Sequence, residues 1–115
     1  MGTYRIDLTL DPVISGEKRV ITTQIDAPTG ITATITSRPT WTLVDDQNTV
    51  VSSGSVDAWD DTAASTVYSQ MELDTSNLSA GNYYLFISVD TTGSDSLDRN
   101  EIQVVKVPVR WAPVA

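Results

Sequence analysis

The stretch Leu78-Ser79-Ala80-Gly81-Asn82-Tyr83-Tyr84-Leu85-Phe86-Ile87-Ser88-Val89 holds the densest run of large apolar residues in the chain. Gly81 punctuates the chain, and Tyr83 to Ile87 then follow without a polar break. A strand apolar on both faces belongs in the middle of a sheet, so residues 82–90 read as a central strand. Successive side chains on a strand point to opposite faces, which puts Tyr83 and Tyr84 on opposite sides.

Period-two alternation continues on either side. Residues 4–10 alternate Tyr4, Ile6, Leu8 and Leu10 with Arg5, Asp7 and Thr9. Asp11-Pro12 ends that strand, and residues 19–26 read as a second one with Val20 and Ile25 apolar and the phase unresolved at Thr22-Thr23. Ile31, Ala33 and Ile35 alternate with threonines. Residues 40–44 and 49–53 flank Asp45-Asp46-Gln47-Asn48, a hairpin pattern, with Gly54 as a breaker. Residues 55–65 are irregular, and residues 66–74 alternate again. Residues 91–100 read as a long polar loop, and residues 101–111 as a last strand with Val105, Val107, Val109 and Trp111 on one face. Pro108 lacks an N–H, which places that strand at an edge or at a bulge.

Thr, Ser and Val dominate, no useful 3.6-residue stripe appears, and turn signals recur at short intervals. The fold class expected is all-β, a sandwich of about seven to nine antiparallel strands. The chain's 115 residues suit one domain. The expected core includes Ile31, Ile35, Trp41, Leu43, Val67, Leu73, Leu85, Ile87, Val105 and Val107.

Composition excludes much chemistry. The chain has no Cys and no His, so thiolate catalysis, disulfides, Ser–His hydrolysis and His metal sites are all out. A net charge of −8 argues against nucleic-acid binding, which needs clustered Lys and Arg. No apolar run follows Met1, so neither a secretory leader nor a membrane helix is expected. Between Pro39 and Asp98 there are ten acids and no Lys or Arg, net −10, and the rest of the chain is net +2. That pattern suggests a two-ended molecule with acidic loops at one side, or simply an acidic, solvated surface.

Leu78-x-x-Gly81-x-Tyr83-x-Leu85-x-Ile87-x-Val89 resembles the loop and penultimate strand of immunoglobulin-like domains. The resemblance makes Tyr83 the tyrosine of the corner, its hydroxyl bonding back to upstream backbone. Trp41 to Val51 is similar to a hairpin of such modules. The family most alike is the immunoglobulin-like accessory modules of tailed-phage virions, over about residues 31–109. The resemblance implies an immunoglobulin-like sandwich over residues 27–115, with residues 1–26 as an added strand or arm packed on the domain or on a neighbour.

It further implies a non-enzymatic structural protein of the virion. Such a protein decorates or cements the capsid, or joins head and tail parts, in a homo-oligomer or symmetric array. The implied partners are the major capsid protein or other virion proteins, with no cofactor, nucleic acid or membrane. The alternative is a carbohydrate-binding or adhesive module of a tail tip or bacterial surface protein. Candidate partner contacts are Tyr4, Trp59, Tyr84 and Trp111. Trp59 would also be the platform for a sugar ring. Asp57, Asp60 and Asp61, and Asp90, Asp95 and Asp98, are oxygen donors of the kind calcium takes, but they lack the spacing of a known calcium loop, and no metal site is assigned to them.

Overall fold

The computed structural model describes residues 6–111. Ten strands run through these residues: β1 (Leu8–Thr9), β2 (Val13–Ile14), β3 (Lys18–Asp26), β4 (Ala33–Ile35), β5 (Thr40–Val44), β6 (Val50–Ser55), β7 (Ala58–Trp59), β8 (Thr66–Asp74), β9 (Gly81–Gly93) and β10 (Asp98–Arg110). No helix occurs among the described residues. The strands form two sheets. The larger has the order β1-β10-β9-β5-β6, with β2 also on β10 and β4 also on β9. The smaller has the order β3-β8-β7.

The central position expected for the Tyr83 strand holds. β9 pairs antiparallel with β10 on one side and with β5 and β4 on the other. Its inward residues Tyr83, Leu85, Ile87 and Val89 are buried. From the smaller sheet, Ile21, Ile25, Val67, Met71 and Leu73 meet them in one core. Buried apolar side chains of this size each contribute roughly 1.5–3 kcal/mol.

Eight of the ten expected core residues are buried, while Trp41 and Ile31 are only partly covered. The sequence alone named Val20 and Ile25 as apolar, left their phase open and did not include Ile21. The register resolves the phase. Ile21 pairs Met71 on the inner face, and Val20 pairs Glu72 on the outer face, 60% exposed.

Four sequence expectations need correction. Residues 91–100 are not a long loop. β9 and β10 continue through them, and only Ser94 to Leu97 turn the chain. β4 supports this extension by pairing Ile35 with Thr91 and Ala33 with Gly93. Ser96 takes φ 66°, and the Gly93 N–H donates to the Leu97 carbonyl at 2.9 Å. A strand thus runs through Thr91 and Thr92, whose branching suits it.

The second correction concerns strand direction: the sheets are not wholly antiparallel. β1 and β2 run parallel to β10, with Leu8 opposite Val105 and Val13 opposite Val109. The expected strand over residues 4–10 is, in the described part, two residues long, and a second short piece follows Pro12.

The third concerns Pro108, which lies at neither a free edge nor a bulge. The Lys106 carbonyl accepts from Leu10 N–H at 3.0 Å and the Arg110 carbonyl from Ser15 N–H at 2.8 Å. By alternation Pro108 also turns its nitrogen toward β1 and β2. That nitrogen meets the break between those two strands, where no donor is needed.

The last is Gly54, which does not end its strand. β6 passes through it to Ser55, opposite Trp41 and Thr40. A Cβ on Gly54 would stand 3.0 Å from Cζ2 of the Trp41 ring. Glycine is there because the indole lies across its Cα. The Asp45–Asn48 turn matches its reading. Asp45 Oδ1 accepts from the N–H groups of Gln47 and Thr49, both at 2.9 Å, and Asn48 takes φ 64°.

Candidate functional site

The outer face of the larger sheet follows from the register. Val44, Tyr84 and Lys106 lie in one row, Thr42, Phe86 and Val104 in the next, and Thr40, Ser88 and Ile102 in a third. Val50 of β6 extends the first row opposite Val44. Lys106 is the one charged residue among these, and Asp7 borders the middle row, its carboxylate accepting from the Val104 N–H at 2.9 Å. Ile102 and Val50 are 56% and 59% exposed, and Tyr84 and Phe86 are half-buried. The outer face of the smaller sheet is different. Lys18, Thr22, Gln24 and Asp26 stand beside Tyr68, Gln70, Glu72 and Asp74, a solvated polar surface with Val20 at one place among them.

The four aromatic contact candidates do not converge. Tyr4 lies outside the described residues. Tyr84 sits in the outer face of the larger sheet. Trp111 follows the last strand and is 70% exposed, although its phase continues Val105, Val107 and Val109. Strand pairing ends at Arg110, one residue before it.

Trp59 lies on the smaller sheet, in β7, opposite Ser69. The Arg38 guanidinium stands over its ring, 5.5 Å from the centroid. Arg38 Nε donates to the Val56 carbonyl at 2.8 Å, which anchors the cation there. One ring face of Trp59 is therefore engaged within the chain.

The acidic residues have structural tasks. Asp57 Oδ2 accepts from Glu72 N–H at 2.8 Å, and Asp60 Oδ2 from Tyr68 N–H at 2.9 Å. β7 is too short to satisfy β8 alone, and the two carboxylates complete its edge. Asp61 is exposed, and its carboxylate accepts from the Thr62 hydroxyl at 3.4 Å. At the β9–β10 end, Asp95 pairs with Arg99 at 2.7 Å. The hydrogen bonds from the Arg99 side chain hold the Asp95 carboxyl below its ordinary range. Asp98 accepts from the Thr92 hydroxyl, and Asp90 from the Asn100 amide, both at 2.7 Å. Among the described residues no three such groups cluster in a way that would hold a metal ion.

Two open polar grooves flank these features. One is lined by Thr36, Ser37, Asp90, Asp98, Arg99 and Asn100. The other runs between Asp45, Asp46 and the turn from Asp74 to Gly81. No helix of the described residues is long and apolar enough to cross a membrane.

What the sequence missed is the face as a unit. Thr40, Thr42, Ser88 and Ile102 carry no motif, and only the register of four strands makes them neighbours. Compared with known proteins, the chain matches no family model, no curated protein and no solved structure.

Proposed function

We propose that this chain is an immunoglobulin-like sandwich working as a non-enzymatic structural protein of a tailed-phage virion. It attaches to the major capsid protein or another virion protein through protein–protein contacts. The observation that carries the contact role is the asymmetry of the two outer faces. One carries Tyr84, Phe86, Ile102 and Val50 across its middle, with Lys106 among them and Asp7 and Asp90 at its margins; the other is polar throughout, with Val20 and Tyr68 among charged and amide side chains. Depletion of charge with aromatic enrichment is the composition of an interface core. The strand orders, with a split first strand parallel to the last, support the immunoglobulin-like reading. So does the Tyr83 hydroxyl, which donates to the Ser79 carbonyl at 2.8 Å. The virion assignment itself rests on the sequence resemblance.

The test is co-sedimentation with tailed-phage particles stripped of their own copy, with mass in solution followed by light scattering. Saturation at a fixed copy number is expected. Ile102→Asp and Val50→Asp, both at exposed positions, should cut binding at least about tenfold while leaving the melting temperature near wild type. A protein that ignores particles but binds a glycan array through Trp59 would overturn the reading in favour of a carbohydrate-binding module.

A further inference from the structure

The two strand orders end in four edges, one made by β1 and β2 together and the others by β3, β6 and β7, and all but β6 are guarded. β1 and β2 are two residues each and are interrupted at Pro12. β7 is also two residues, and the Asp57 and Asp60 carboxylates take the β8 N–H groups beyond it. β3 carries Lys18, Arg19 and Asp26 near its ends, and Gln103 Nε2 donates to its Gln24 carbonyl at 2.6 Å. Short length, breaks and charge are the usual means of keeping a sheet edge from pairing.

β6 has none of these, although its register on β5 shifts by one residue between Leu43 and Val44, ahead of Ser53 and Ser55. Val50-Val51-Ser52-Ser53-Gly54-Ser55 contains no charge and no proline, and every residue is exposed. The Val56 N–H donates to the Pro39 carbonyl at 2.9 Å, so by alternation Gly54 and Ser52 turn their backbone groups toward β5. Ser53 and Ser55 turn theirs outward. The Trp41 indole reaches round Gly54 to donate to the Ser55 carbonyl at 3.2 Å. The Ser55 N–H and both backbone groups of Ser53 remain directed away from the sheet.

Charge selects what can pair there. Asp45 and Asp46 stand at the turn before β6 and Asp57 follows it; Arg38, on the Val56 carbonyl, is turned over the Trp59 ring. Antiparallel pairing of two copies would bring these carboxylates together. We infer that β6 is a strand-addition edge for an extended segment of another protein, uncharged at its centre and flanked by Lys or Arg. This inference concerns β6 alone and does not rest on the virion reading.

The isotope-labelled chain is titrated with a short synthetic peptide of alternating Thr and Val, carrying two lysines at each end. The same peptide with glutamates at its ends serves as the comparison. Expected are shifts and slowed exchange at the Ser53 and Ser55 amides. The lysine form should bind at least about tenfold tighter at low salt, and the difference should shrink as salt rises. Ser53→Pro removes an N–H that faces away from β5, so binding should be lost with the β5 pairing intact. Asp46→Lys, at an exposed turn, should narrow the preference between peptides even if Ser53→Pro folds poorly. The inference is overturned if neither peptide moves those amides, or if both bind equally. A dimer in light scattering that Ser53→Pro breaks would overturn it in favour of a second copy.

Discussion

The Tyr83 hydroxyl donates to the Ser79 carbonyl at 2.8 Å, joining the start of the central strand to the loop that precedes it. The ring is buried beneath that loop at 7% exposure. One side chain thus sets both the entry angle of β9 and the path of the Asp74–Gly81 turn. Tyr83→Phe keeps the ring and removes the bond, leaving the Ser79 carbonyl to solvent. The expected cost is about 1 kcal/mol, seen as a melting temperature a few degrees lower.

The same tyrosine has a pH signature. Burial raises its hydroxyl above the ordinary value of 10.0, and Asp45 and Asp46 push the same way. A group whose pKa is raised on folding contributes stability that is intact below its unfolded value and is lost as pH climbs through the folded one. Stability should therefore decline above pH 10, and Tyr83→Phe should decline less steeply over that interval. Equal slopes in denaturant titrations of the two proteins would refute this.

At the acid end the signs reverse. Hydrogen bonding from Arg99 depresses Asp95, and the Ser76 hydroxyl and N–H depress Asp74. Both contributions are present above the ordinary carboxyl value of 3.8 and vanish as pH falls through the lower folded values. Asp95→Asn should flatten the dependence of melting temperature on pH below about 4. Both groups are at the surface, so the change will be small and will shrink in salt.

Asp57 and Asp60 act as acceptors for the β8 backbone. Asn retains an acceptor oxygen and Ala does not. Ala at either position should cost about 1 kcal/mol, and Asn distinctly less. Calcium should leave the melting temperature of the wild type unchanged. A calcium-dependent rise removed by Asp57→Asn would show that these carboxylates are ligands after all.

Gly54 and Trp41 form one packing unit. Gly54→Val would drive a branched side chain into the indole, 3.0 Å from where a Cβ alone would stand. The expected cost is about 1–3 kcal/mol, with a change in tryptophan emission as the ring leaves the Ser55 carbonyl. A melting temperature within a degree of wild type, with emission unchanged, would show that the indole moves aside freely.

The alternation of Leu85 and Ile87, of Val67 and Leu73, and of Val105 and Val107 was enough to identify the principal strands and eight of the seventeen residues of the buried cluster. Burying one face imposes period two on the residues themselves. The Asp45–Asn48 turn was legible for a similar reason, since its bonds are local. The Thr91–Asn100 stretch was not. Its residues are polar, and they become strand because β4 returns across the chain to pair with them. The direction of β1 and β2, the harmless place of Pro108, and the duties of Asp57 and Asp60 also depend on partners distant in sequence. The sequence alone therefore determined the all-β class and the inward residues of the strands with a clean alternation, because that alternation is written locally. Only the tertiary structure decided which strands are edges and which outer face carries the fewer charges, because both depend on the register between strands far apart in the chain.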